Sequence, residues 1–311
     1  HRDLHLSIRR QRQMCIRDSN MSPKIGAFFP TRDMPSDPHQ IREWTLAAEE
    51  IGFDYIEVSD HVLGADREKH ENFDGPYDVD DCFHETFCTL SFMAAITTRV
   101  GLVSGVLILP QRQTALVAKQ AAQLDVLSDG RLRLGIGVGW NPVEYEALGE
   151  NWKPRGQKQN EQVQFMNNLW TQKTVNFSGR FDTVLNAGIN PLPKQRPIPI
   201  WFGGQADAAL KRAATYGSGW IPLGNPGTNS ANALEKLNKF LSDEGRDPKT
   251  FGIEAWIRYG DGSPEGWMST AKKWLTLGAD HLTFYTSGQG AGHTDQQIEG
   301  MRRFYEVCKS L

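Results

Sequence analysis

The chain has 311 residues and a formal net charge of −3, so no excess of basic charge is available for nucleic acid or an anionic membrane surface. No stretch approaches the roughly 18 to 20 apolar residues of a membrane span. The four cysteines, Cys15, Cys82, Cys88 and Cys308, show neither CxxC nor zinc-ligand spacing, which predicts reduced thiols and a cytoplasmic protein.

Residues 1–20, HRDLHLSIRRQRQMCIRDSN, are strongly basic and lack an apolar period. Their RQRQMCIRDS core resembles translated sequencing-adapter read-through, which makes Met21 the expected start and 21–311 a single domain. The first strand is read over Lys24–Phe29. It ends in Phe28-Phe29-Pro30 with no HxH pair, which disfavours a metal-dependent barrel hydrolase. HQIREWTLAAEEIG follows as a helix, with Ile41, Trp44, Ala47, Ala48 and Ile51 at helical spacing and Gly52 as its stop. The second strand, Asp54–Ser59, delivers Asp60-His61 at its C-terminal end. A long acidic insertion, His61–Glu85, comes next and reads as a solvated lid, because none of its carboxylates and histidines has a recognised metal-ligand spacing.

The third strand, Val100–Leu109, carries Gly105 in an otherwise apolar run, a sign of a bulge or of close approach by a ligand. A helix over Thr114–Leu127 leads through Ser128-Asp129-Gly130 into the fourth strand, Leu132–Val138. There Gly135, Gly137 and Gly139 alternate, so they share one face in a strand and could bare backbone to a planar ligand or make room for a neighbouring side chain. NPVEYEALG reads as a short acidic helix. After a helix carrying Val163, Met166, Leu169 and Trp170, a second insertion, Thr174–Pro197, contains NFSGRF, which reads as a hairpin. The fifth strand, Ile198–Phe202, leads into Gly203-Gly204-Gln205 ahead of a helix from Ala206, and two glycines before a helix N-terminus suit a phosphate. Strands at Gly219–Pro222, Gly252–Arg258 and His281–Thr286 alternate with helices at Ser230–Asp243, Pro264–Leu277 and Thr294–Lys309.

Eight such units predict a closed (β/α)₈ TIM barrel, with insertions after the second strand and before the fifth. An open doubly wound sheet is the alternative. In a barrel, the loops after strands carry the chemistry. Asp60 and His61 are therefore candidates for orienting a ligand and moving a proton, and aromatic residues near the strand ends, Phe28, Trp140 and Trp220 among them, suit a pocket for a flat apolar ligand.

Residues 24–311 resemble the luciferase-like monooxygenase superfamily, and within it the coenzyme F420-dependent oxidoreductases. The resemblance is carried by IEVSDHV (56–62), VSGVLILPQRQTALVAKQAAQLDVLSDGRLRLGIGVGW (103–140), EYEALG (144–149), RPIPIWFGG (196–204) and AATYGSGW (213–220). It implies a reduced F420 or FMN bound at the C-terminal rim, and a non-proline cis peptide between Gly105 and Val106 supporting the ring from behind. It also implies Val138 and Gly139 near the ring, Gly203, Gly204 and Gln205 at the phosphate, Asp60 orienting the cofactor and His61 near the reacting face. The substrate is expected to be a small molecule, with neither nucleic acid nor membrane as partner, and the assembly a homodimer. An FMNH2- and O₂-dependent monooxygenase is the rival within this class, and a non-catalytic flavin- or deazaflavin-binding protein the rival outside it. Trp140 stands where the sugar-phosphate dehydrogenases of this branch carry an acidic residue, and Gly224–Gly227 where they use a lysine, which points away from a sugar-phosphate substrate.

Overall fold

The computed structural model describes residues 22–70 and 73–311; the basic segment 1–20 lies outside them. In chain order the elements are β1 (Lys24–Phe28), α1 (Pro38–Ile51), β2 (Tyr55–Val58), α2 (Thr86–Ile96), β3 (Gly101–Ile108), α3 (Thr114–Leu127), β4 (Leu132–Gly137) and α4 (Pro142–Ala147). There follow α5 (Arg155–Thr171), β5 (Val175–Ser178), β6 (Thr183–Ala187), β7 (Ile200–Gly203), α6 (Asp207–Tyr216), β8 (Gly219–Ile221), α7 (Thr228–Asp243), β9 (Gly252–Arg258), α8 (Pro264–Thr276), β10 (His281–Tyr285) and α9 (Thr294–Cys308). Eight strands close into a barrel in the order β1-β10-β9-β8-β7-β4-β3-β2, every pairing parallel. The fold is thus the expected (β/α)₈ barrel and not an open sheet.

Local chemistry explains the element ends. Asp37 caps α1 by accepting from the His39 N–H at 2.9 Å, Pro38 occupies its first turn, and Gly52 closes it at φ +117°. The hairpin β5–β6 is antiparallel and folds back along α5, where the Glu161 carboxylate accepts from the backbone N–H groups of Arg180, Phe181 and Asp182 at 2.7–2.8 Å. Helix α2, TFCTLSFMAAI, has no polar face to give it a helical period, and it packs between α1 and α3.

Two interiors result. Between barrel and helices lies an apolar layer that includes Trp44, Trp170, Trp220, Trp267 and Trp274, all fully buried. At roughly 1.5–3 kcal/mol for each large apolar side chain buried, this layer is the main source of stability. Inside the barrel the strands place polar groups instead. Arg133 pairs with Glu254 and stacks over the rings of Tyr55 and Trp201, at 4.6 and 4.1 Å. Thr283 donates to Glu254 at 2.5 Å and meets the Tyr55 hydroxyl at 2.8 Å. Glu57 accepts from the Trp256 indole at 3.2 Å. Burial, with the Glu254 charge beside it, pushes the Glu57 carboxyl well up. Burial also opposes ionisation of Glu254, but Arg133 holds that carboxyl below its ordinary value.

Candidate active site

The C-terminal ends of β3, β4 and β7 form one wall of the barrel mouth. The Gly105–Val106 peptide is cis, and the register between β3 and β4 shifts between Ser104 and Leu107. The Val106 side chain lies over two of the expected glycines: a Cβ at Gly137 would stand 2.6 Å from Val106 Cγ2, and one at Gly203 would stand 2.9 Å from Val106 Cγ1. Gly105 is equally confined, since a Cβ there would stand 1.6 Å from Glu57 Oε1. The glycines therefore seat Val106 as well as baring backbone. Gly139 departs from the shared face. It leaves the strand at φ +68° and meets Ile108.

Gly203 and Gly204 lead into α6 through Gly204 at φ +108°. No side chain caps α6, so the first turn keeps backbone N–H groups free for an acceptor. Gln205 Nε2 is buried beside this turn without a hydrogen-bond partner. Uncapped N–H groups and an orphaned amide donor at one helix start fit an anionic phosphate.

Opposite stands His61. Its Nδ1 lies 3.1–3.2 Å from both oxygens of Glu144 on α4, and only 11% of its side chain is exposed. The Glu144 carboxylate is fully buried and also accepts from the Val62 and Leu63 N–H groups at 2.7 and 3.1 Å and from Gln111 Nε2 at 3.2 Å. Burial raises the Glu144 pKa, and those donors pull it back. Three donors besides the imidazole, the Val62 and Leu63 N–H groups and Gln111 Nε2, favour the ionised form of Glu144; toward that carboxylate His61 Nδ1 donates, which leaves the lone pair on Nε2. Burial lowers the His61 pKa to about 4, with the Asp60 charge opposing. Helix α4 is itself anchored. Asn141 caps it, accepting from Val143 N at 3.0 Å and donating to the Leu63 carbonyl at 3.2 Å, while the Tyr145 hydroxyl donates to the Val138 carbonyl at 2.7 Å.

The insertion after β2 folds over this pair. Tyr77, Phe83 and Trp140 place their rings 4.2, 5.3 and 5.7 Å from the His61 ring, and Phe73 lies 5.6 Å from Trp140. Tyr77 is 3% exposed, and its hydroxyl is buried without a partner. Three of the loop's carboxylates are paired: Asp81 with Arg32 at 2.7 Å, Glu85 with Arg112 at 3.3 Å, and Asp78 with Arg67. Among the described residues no cluster of three or more His, Cys, Asp or Glu side chains is arranged to hold a metal ion.

Phe28 belongs to the mouth's floor, 5.4 Å from Trp256 and 4.5 Å from Tyr285, ring to ring. Asp60 is buried and fully engaged, accepting from Ile108 N at 2.9 Å, Thr86 Oγ1 at 3.0 Å and Arg112 at 2.6 Å. It thereby ties the end of β2 to the end of β3. The expectation for Trp220 is corrected. Gly219 faces the lumen against Trp201, so strand alternation turns Trp220 outward into the apolar layer, where it is 0% exposed. Its indole N–H donates to the Gly204 carbonyl at 2.7 Å, so it braces the Gly-Gly turn and does not wall a pocket. Sequence reasoning missed Glu144, although it opens the quoted EYEALG segment. Its signal is an acidic residue on a short helix just past the fourth strand, and nothing in the sequence links it to His61, 83 positions away.

The C-terminal rim of this parallel barrel thus joins a glycine-seated wall, an uncapped helix start and a buried His–Glu pair, at the end where barrels of this kind place their functional loops. The chain belongs to the luciferase-like monooxygenase family, whose model matches residues 23–303. It is 33% identical over 205 residues to an uncharacterised protein of Mycobacterium tuberculosis, covering 64% of this chain and 70% of that one. It is 31% identical over 191 residues to an F420-dependent glucose-6-phosphate dehydrogenase of Amycolatopsis mediterranei, covering 59% of this chain and 53% of that one. The solved structure of an F420-dependent secondary alcohol dehydrogenase with an F420-acetone adduct superposes with a TM-score of 0.76 at 18% identity, covering 93% of this chain and 99% of that one. At that identity the likeness speaks for the fold.

Proposed function

We propose that the protein is an F420-dependent oxidoreductase that moves a hydride between the deazaflavin and an alcohol or carbonyl carbon of a small, largely apolar substrate. The observation that carries this reading is the His61–Glu144 pair: a histidine kept neutral by burial, with Nδ1–H engaged and Nε2 left as a proton acceptor. Val106, seated by Gly137 and Gly203, would back the ring, and Gly203, Gly204 and Gln205 would hold the phosphate. Bound F420 supplies the two-electron hydride chemistry. His61 Nε2 takes the hydroxyl proton of an alcohol as its carbon gives up hydride, and returns a proton to oxygen in the opposite direction. Glu144 fixes the tautomer and stabilises the imidazolium. Asp60 acts through Ile108 and Arg112, holding the ends of β2 and β3 in place. Tyr77 and Trp140 keep water from the imidazole and favour an apolar substrate.

Titration of the purified protein with F420 and with FMN, each oxidised and reduced, tests the reading. Tight F420 binding is expected. Tight FMN binding without F420 binding would replace it with the FMNH2-dependent monooxygenase. Cofactor binding with no turnover across an alcohol and ketone panel would leave a binding protein.

A further inference from the structure

On the flank of the barrel mouth, a cleft of about 570 Å³ opens between the start of α5, helix α6 and the hairpin tip. Its lining includes Lys153, Gln157, Asn160, Arg180 and Arg212, and no carboxylate. Among the described residues none of its three cations forms an ion pair. Arg180 donates to Gln157 at 2.8 Å, and Arg212 Nε is buried with no hydrogen-bond partner. The Arg212 guanidinium packs on the first turn of α5, where a Cβ at Gly156 would stand 2.9 Å from Nη1. That turn has neither a side-chain cap nor an acidic residue, so the positive end of the helix dipole adds to the guanidinium. Arg155 adds a further charge. Burial, and then Arg155, push the Arg212 pKa below its ordinary value. The same cleft holds a buried acceptor, Asn160 Oδ1, without a partner. Lys153 and Arg180 are exposed and Arg212 is half-buried, and the mutual repulsion of these like charges is relieved when an anion binds among them.

The cleft and the phosphate cradle share α6. Arg212 lies five residues beyond Asp207, about 7.5 Å along the helix axis from its first turn. A ligand anchored by a phosphate at Gly203–Gly204 therefore needs only a short further anionic chain to reach it. FMN ends at its phosphate, whereas F420 continues past the phosphate into a chain of carboxylates.

We infer that this cleft is a second anion subsite, receiving the carboxylate tail of the cofactor whose phosphate sits at Gly203–Gly204. The inference rests on the F420 reading above. Its test measures dissociation constants for F420 with several glutamates, for the same deazaflavin phosphate without glutamates, and for FMN, at low and high salt. The wild-type protein should bind the oligoglutamyl form about 10-fold tighter than the glutamate-free form at low salt, and high salt should erode the advantage. Arg212→Gln should abolish the advantage while leaving affinity for the glutamate-free form unchanged. Arg180→Gln, on the exposed hairpin tip, should do the same in part. Deazaflavin binding that ignores tail length in the wild type, or a tail advantage that survives both substitutions, would overturn the subsite alone. FMN binding with no deazaflavin binding would overturn the functional reading and the tail assignment with it.

Discussion

The two sides of the barrel mouth are built on opposite rules. Around β3, β4 and β7 the lumen face is glycine, at 105, 135, 137 and 203, and one inserted side chain, Val106, sets its contour. Around β9, β10, β1 and β2 the lumen is filled by Trp256, Tyr285, Phe28 and Glu57, above the Arg133–Glu254 pair. The bare side leaves backbone and one methyl-bearing side chain facing the lumen, where the proposed cofactor ring would lie. The filled side closes the barrel beneath it and costs buried charge to do so. Reaction and stability should therefore respond to different substitutions, and His61, hung above both from the end of β2, should affect chemistry more than either side.

The largest effect is expected at His61. His61→Ala should lower kcat by about 10²–10⁴-fold, the usual worth of a positioned acid–base group, with cofactor affinity little changed. Steady-state kinetics alongside cofactor titration separate the two quantities. On the filled side, Glu254→Gln leaves Arg133 buried without a counter-charge and should destabilise the fold by about 3–5 kcal/mol in denaturant unfolding. On the bare side, Gly137→Ala forces Val106 aside and should weaken cofactor binding about 10-fold. Val106→Ala in the same chain should restore part of that loss, because the clash is with its Cγ2. A stability loss at Gly137 without a binding loss would blur the contrast between the sides. The smallest effect belongs to Glu57→Gln. Burial and the neighbouring Glu254 push the Glu57 carboxyl well up, which favours the uncharged form that glutamine mimics, so the isostere should change stability by about 1 kcal/mol or less.

The pH dependence of stability sharpens the place of His61. Its folded pKa of about 4 lies below the ordinary histidine value of 6.5. As pH falls through 6.5 the unfolded chain therefore takes up a proton that the folded chain refuses. The His61 contribution is full above 6.5 and is lost progressively toward 4, amounting to at most about 2 kcal/mol between pH 7 and 5. Glu144, with its pKa raised, works in the opposite direction. Comparing His61→Gln with the wild type at both pH values isolates the histidine, and the variant should lose less stability on acidification.

The sequence made the barrel legible because all eight lumen strands are short apolar runs bounded by turn residues, and the hairpin announced itself in NFSGRF. Helix α2 shows no helical period because its few hydroxyl residues, Thr86, Thr89 and Ser91, are scattered among apolar ones and mark no polar face. The alternating glycines marked the bare side correctly at 135 and 137, but 139 lies past the strand, where alternation no longer holds. Trp220 was misplaced for a related reason: the direction of a side chain depends on strand parity, which only the register with Gly219 and Trp201 fixes. The Glu144 partner of His61, the carboxylate pair inside the barrel and the basic cleft at Arg212 are all contacts across long stretches of chain. A single sequence encodes them only through the fold.

Single-turnover reduction of F420 by a secondary alcohol, followed by loss of deazaflavin absorbance across pH, tests the central claim most directly. The wild-type protein should bleach the cofactor with its acid limb near pH 4, well below the ordinary histidine range, and His61→Ala should be slow and lack that limb. Bleaching as fast in His61→Ala as in the wild type, or no deazaflavin turnover alongside tight FMN binding, would contradict it.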